Sequence, residues 1–203
     1  MARLCHAARV DSKPLPEPTF DRTLLHTRTV TCEGYEREDG LVDIDGWLTD
    51  VKTYDVPNQD RNGIPAGVPI HGMGLRMTIS RDLIIRDIVA IQDYTPFALC
   101  PAITPAFKQL VGVSLGKGFN RAVREKMGGT KGCVHLVDLL GPMATVAYQT
   151  LDEPLYRAAQ AAKAQPHFIN ACHAWREDGV LAMTEFPPSA ERTESTKRSA
   201  EPA

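Results

Sequence analysis

The stretch from Pro69 to Cys100 constrains the fold most strongly. Between His71 and Ile79, apolar residues occupy the odd positions, whereas glycine, arginine and threonine occupy the even ones. This period of two is typical of a strand with one buried face. A turn at Ser80 to Leu83 separates this strand from a second one that ends before Pro96. The stretch therefore predicts a central β-hairpin with one face turned toward the core.

Strand patterns also precede the hairpin, whereas helical patterns follow it. One strand starts at Leu24, and another follows the Asp39-Gly40 turn, with a bend expected at Gly46. After Cys100, apolar spacing predicts helices at 105–110, at 118–127, from 132 onward with a kink at Pro142, and at 153–163. A last apolar run begins at residue 180. This order predicts an α+β fold: an antiparallel sheet of three to five strands in the N-terminal half, covered on one face by C-terminal helices.

The domain organisation and composition indicate a small cytoplasmic protein. We expect an extended arm at 1–20, one domain at 21–186 and a disordered tail at 187–203. The net charge of −2 gives no reason to expect nucleic acid as a partner. No apolar run approaches the roughly 18 residues that span a bilayer, and the first residues do not resemble a signal peptide. Five cysteines without a repeated spacing do not predict a disulfide framework.

Several ionisable residues fall on the strand face that should be apolar. Strand alternation places His26, Arg28, Asp50, Lys52 and His71 on this inward side. Buried charges are costly unless they are paired or surround a wet cavity. The pattern therefore favours a functional pocket over an internal salt-bridge network, although a bulge at Gly46 would turn Asp50 and Lys52 outward together.

This set of side chains suits proton transfer on a small-molecule substrate. His26 or His71 would act as general acid or base, Asp50 would orient it, and Arg28 and Lys52 would hold an anionic oxygen. The resulting hypothesis is a cofactor-independent lyase that performs retro-aldol or elimination chemistry on a small oxygenated, perhaps aromatic, compound. A non-catalytic ligand-binding module remains an alternative, and the oligomeric state is left open, a homodimer included.

A metal site is the other alternative. Cys133 lies at the predicted start of a helix, where the thiolate is favoured, and His135 follows two residues later. His71 and Cys100 would complete a four-ligand set. Two thiols and two imidazoles suit zinc. The alternative function is thus a zinc or iron–sulfur accessory or scaffold protein.

Several motifs resemble one bacterial family over roughly residues 20–185. They are HTR at 26–28, YEREDGLVDIDGWLTDVKTY at 35–54, IHGM and LRMTI within 70–79, the proline-flanked Cys100, and RAVREKMGGTKGCVHL at 121–136. Together they resemble the domain-of-unknown-function family number 2889, whose name implies no activity. Gly72 stands where this family generally has aspartate, and Gly74 where it often has a large residue. The resemblance therefore implies a loss of a carboxylate and more open space beside His71.

The order of the candidate ligands is also similar to that of iron–sulfur cluster assembly scaffolds. In those proteins, an acidic or cysteine position before a hairpin, a cysteine after it and a His-Cys pair on a late helix converge on one metal. His71, Cys100 and Cys133 with His135 follow the same order here. This weaker similarity implies a shared topology and the convergence of these four residues.

Overall fold

The computed structural model describes residues 15–162 and 164–186. Four antiparallel strands form one sheet in the order β1-β2-β3-β4: β1 His26–Glu36, β2 Val42–Lys52, β3 Pro69–Ile79 and β4 Ile85–Tyr94. The expected arm at 1–20 and tail at 187–203 lie mostly or wholly outside the described residues.

Helices follow the sheet in the chain. A 3₁₀ helix spans Cys100–Leu110, and a short one spans Gly129–Lys131. The α-helices are α1 Phe119–Met127, α2 Val134–Thr150, α3 Asp152–Ala161 and α4 Val180–Glu185. The prediction of an α+β fold with N-terminal strands and C-terminal helices is therefore confirmed. None of the helices in the described ranges combines the length and hydropathy needed to cross a bilayer.

The core lies between one sheet face and the helices. Alternate residues of β2 and β3 are buried on this face, as the period of two predicts. They meet buried side chains of the 3₁₀ helix, α1 and α2; the largest of these helical side chains are Phe107, Leu110, Phe119, Met127, Leu136, Leu139 and Met143. The helix α2 lies across β1, β2 and β3, and the 3₁₀ helix lies against β4.

Strand pairing runs through Gly46 without interruption. The register of β2 against both neighbours is continuous there, and the irregularity against β3 falls later, between Asp50 and Val51. A Cβ atom at Gly46 would lie 2.6 Å from Sδ of Met143. The glycine therefore lets α2 approach the sheet closely, and the continuous pairing excludes a bulge at this position.

Candidate functional site

The carboxylate of Asp50 is the centre of a charged cluster on the helix-covered face. Asp50 is only 3% exposed. Its Oδ1 accepts hydrogen bonds from Nε2 of His26 and Nε of Arg28, both at 2.8 Å. Its Oδ2 accepts from Nη2 of Arg28 at 2.8 Å and from Nδ1 of His71 at 3.0 Å. Because an ionised carboxylate only accepts, each histidine must donate from the nitrogen that faces it.

The strand register explains how these residues meet. Arg28 of β1 lies directly opposite Asp50 of β2, and Asp50 lies opposite His71 of β3. Residues opposite each other in an antiparallel pair have Cβ atoms about 5 Å apart and share a face. His26, two residues before Arg28, lies on the same face. Three adjacent strands thus present one row of polar side chains at the end of the sheet.

The guanidinium of Arg28 joins the sheet to α2. Besides its two bonds to Asp50, Arg28 donates from Nη1 to Oδ2 of Asp138 at 3.0 Å. Burial alone would raise the pKa of Asp50, but hydrogen bonds from Arg28 and His26 outweigh it and hold that pKa far below its ordinary value. The hydrogen bond to Asp50 likewise raises the pKa of Arg28. Each of the three guanidinium nitrogens donates one hydrogen bond to a carboxylate, so the charge of Arg28 is paired with both Asp50 and Asp138.

Two histidines stack beside this ion pair. The ring centroids of His71 and His135, which lies in the first turn of α2, are 3.7 Å apart at an angle of 32°. Burial lowers the pKa of both histidines, and the positive charge of Arg28 lowers them further. Both imidazoles are therefore neutral at pH 7. Since Nδ1 of His71 donates to Asp50, its Nε2 carries the lone pair.

Cys133 adjoins this histidine pair, whereas Lys52 takes no part in the cluster. The Sγ atom of Cys133 lies 4.0 Å from Nδ1 of His135. Within the described ranges no hydrogen bond or ion pair connects Lys52 with Asp50, and the Lys52 ammonium lies 5.8 Å from the ring centroid of Tyr54. Lys52 is the last residue of β2, just past the irregular pairing at Asp50 and Val51. The register of β1 against β2 is continuous to this end and pairs Lys52 with His26, so Lys52 shares the face of the cluster without contacting Asp50.

The donors that could hold a metal ion differ from the predicted set. Among the described residues, ligating atoms of Asp50, His71 and His135 all lie within 4.8 Å of one another. Cys100 begins the 3₁₀ helix and, like Cys133, is not in this group. Two neutral imidazoles suit a metal, but both oxygens of Asp50 already accept from Arg28.

Sequence reasoning missed Asp138 and assigned His135 only to a metal site. The two residues are three apart on α2, so they lie on one side of the helix. That spacing was visible in the sequence, but nothing there indicated that this side of α2 faces Asp50. The tertiary packing supplies that information.

Gly72 and Gly74 do not open space beside His71. Their missing side chains would point to the other sheet face, where a Cβ at Gly72 would lie 2.8 Å from the Tyr94 ring and one at Gly74 would collide with Trp47. Alternation along β3 accounts for this, because 71 is odd and both glycines are even. The extra space that the family resemblance implied is thus filled by two aromatic rings on the far side.

Comparisons with known proteins give a family and no activity. No curated protein and no solved structure matches the chain, so the similarity to iron–sulfur scaffolds stays a prediction. A family model described as a protein of unknown function (DUF2889) matches residues 26–149. The matched region begins at His26 and includes every member of the Asp50 cluster. The chain therefore belongs to the DUF2889 family of proteins of unknown function.

Proposed function

We propose that this protein is a small-molecule lyase in which His71 acts as the general base. The observation that carries the proposal is the pairing of His71 with Asp50. The buried carboxylate accepts from Nδ1, which leaves the lone pair of Nε2 available to a substrate. The free thiols of Cys32, Cys100, Cys133 and Cys172 support a cytoplasmic location.

Arg28 keeps His71 in its basic form. A carboxylate alone would raise the pKa of a neighbouring imidazole and favour its protonation. Here the guanidinium binds the same carboxylate through two hydrogen bonds and offsets its charge. Burial of His71 acts in the same direction. We therefore assign Arg28 a positioning and charge-balancing role and not the oxyanion-binding role predicted from the sequence.

Retro-aldol cleavage uses this arrangement without a redox cofactor. Nε2 of His71 would take the proton of a substrate hydroxyl, whose oxygen becomes the carbonyl of a released aldehyde. The carbon–carbon bond breaks, and its electron pair moves to the neighbouring carbon, where an adjacent carbonyl or aryl group delocalises it. The imidazolium of His71 then returns its proton to that carbon. The N–H of His135, whose ring stacks on His71, would donate to a substrate oxygen.

The test uses a variant that keeps the hydrogen bond and removes the base. Asparagine places an amide N–H near the position of Nδ1 but has no counterpart of Nε2, so His71→Asn should preserve the contact with Asp50. We expect the wild type to release aldehyde from members of a panel of β-hydroxy carbonyl compounds and aryl propanediols. His71→Asn should lower that rate by about 10²–10⁴-fold.

His173→Asn is the matched control, because His173 is exposed and lies outside the cluster. The value of kcat/KM should rise with pH, with its midpoint below the ordinary histidine pKa of about 6.5, since burial lowers the pKa of the base. Full activity of His71→Asn on a compound that the wild type cleaves would contradict the proposal.

Metal binding is the second candidate, favoured by the proximity of the Asp50, His71 and His135 ligating atoms. The two carboxylates of Asp50 and Asp138 share one guanidinium, that of Arg28. The cluster therefore has an excess of negative charge, which a bound divalent cation would offset. Calorimetric titration of chelator-treated protein with Zn²⁺ tests this candidate. Submicromolar binding that His135→Ala abolishes and His173→Ala retains would favour it over the lyase, and no binding would exclude it.

A further inference from the structure

A cavity lies at the C-terminal end of α2, away from His135. Its volume is about 680 Å³, and it is enclosed by the C-terminal half of α2, the start of α3, the loop at 115–116 and the segment at 167–172. His135 and Tyr148 are 13 residues apart on α2, which corresponds to about 20 Å along the helix axis. The volume falls in the range of small-molecule sites. This cavity is therefore separate from the Asp50 cluster.

Aromatic rings form one wall of this cavity. The imidazole of His167 stacks on Tyr148, with centroids 5.4 Å apart and an interplanar angle of 21°. The ring of Phe168 meets the imidazole of His167 edge-on, with centroids 5.4 Å apart. Phe168 also contacts Trp175, with centroids 4.6 Å apart. Burial raises the pKa of Tyr148, so its phenol stays neutral at physiological pH. The rings of Tyr148 and Phe168 thus offer electron-rich faces that carry no charge.

The imidazole of His167 is held in a fixed position in this wall. Its Nε2 lies 3.3 Å from Oδ1 of Asp152. Its Nδ1 is enclosed by protein and has no hydrogen-bond partner among the described residues. A nitrogen without access to the cavity cannot exchange protons with a ligand there. The arrangement therefore indicates binding and not acid–base catalysis at this site.

The charges of the side chains that line the cavity indicate which kind of ligand it would bind. Asp152 is the one carboxylate among the described lining residues, which include no lysine or arginine. Its side chain is largely exposed, and Oδ1 alone faces His167. Ring faces together with a carboxylate are the features that recognise an ammonium group. We propose that this cavity binds a small organic cation, with its charged group between Asp152 and the faces of Tyr148 and Phe168.

Binding is tested with benzyltrimethylammonium chloride as the probe and the full-length protein. Calorimetry gives the affinity, and Trp175 fluorescence reports on the cavity through Phe168. We expect saturable binding of this cation, with benzyl alcohol and benzoate at least tenfold weaker. Asp152→Asn keeps the shape of the side chain and should weaken binding of the cation about tenfold.

Glu153→Gln is the matched control. Glu153 is the next residue of α3, bears the same charge and pairs with Arg157 outside the cavity, so its neutralisation should leave binding unchanged. Retained binding in His71→Asn would show that the site is independent of the Asp50 cluster. The proposal is overturned if the cation does not bind saturably, if benzyl alcohol binds equally well, or if Asp152→Asn and Glu153→Gln weaken binding to the same extent.

Discussion

Replacing Arg28 by methionine tests whether the buried carboxylate of Asp50 depends on its guanidinium partner. The change keeps most of the apolar stem but removes two hydrogen bonds of 2.8 Å and the compensating charge. Stranding a fully buried charge costs about 3–5 kcal/mol. Because the Arg28 side chain is 35% exposed, we take the lower end, about 3 kcal/mol. For a chain of this size that corresponds to a fall in Tm of about 6–12 °C.

The chain contains a matched control for this experiment. Arg76 makes the same two-pronged contact with Asp45, at 2.7 and 2.6 Å, but its side chain is 57% exposed on the open sheet face. Exposed pairs contribute about 1 kcal/mol or less, so Arg76→Met should lower Tm by no more than about 4 °C. Lys52→Met should also leave Tm near that of the wild type, because Lys52 is not bonded to Asp50.

A second substitution, at Asp50, should restore the stability that Arg28→Met loses. Replacing both partners, Arg28→Met with Asp50→Leu, removes the stranded charge and should recover most of the lost stability. Thermal melting followed by circular dichroism at pH 7 measures all of these variants. If Arg28→Met melts within 2 °C of the wild type, or at a Tm no lower than that of Arg76→Met, the reasoning from burial is refuted.

Two further predictions concern acid sensitivity and the approach of α2 to the sheet. Because burial lowers the pKa of His71 and His135, the unfolded state binds more protons than the native state below about pH 6.5, so the free energy of unfolding should fall as the pH drops from 7 to 5. Denaturant titrations across this range measure it, and a flat profile would contradict the assignment of neutral, buried histidines. Gly46→Ala should cost about 1–3 kcal/mol because the added methyl group collides with buried Met143. In contrast, Gly141→Ala on α2, where the added methyl group meets nothing outside its own helix, should cost less than Gly46→Ala; equal effects of the two changes would contradict this packing account.

The alternation of the strands was readable from the sequence because it is a local property. A period of two assigns each residue to a face without reference to any other part of the chain, and this placed His26, Arg28, Asp50 and His71 on the buried side. The switch to helical spacing after Cys100 likewise predicted the α+β order. The same argument placed Lys52 on this face, opposite His26, but a face assignment does not predict contacts, and among the described residues no hydrogen bond or ion pair joins Lys52 to Asp50.

The tertiary structure decided what these residues contact. Asp138 is 110 positions from Arg28, and only the packing of α2 on the sheet brings the two together. The same packing places His135 on His71 and leaves Cys100 outside the group of potential ligands. Contacts between distant elements depend on register and on the close approach that Gly46 allows, and neither has a local signature. The sequence by itself therefore determined the polar row on the sheet, whereas the fold determined that Arg28 binds both Asp50 and Asp138 and that Nε2 of His71 has no hydrogen-bond partner among the described residues.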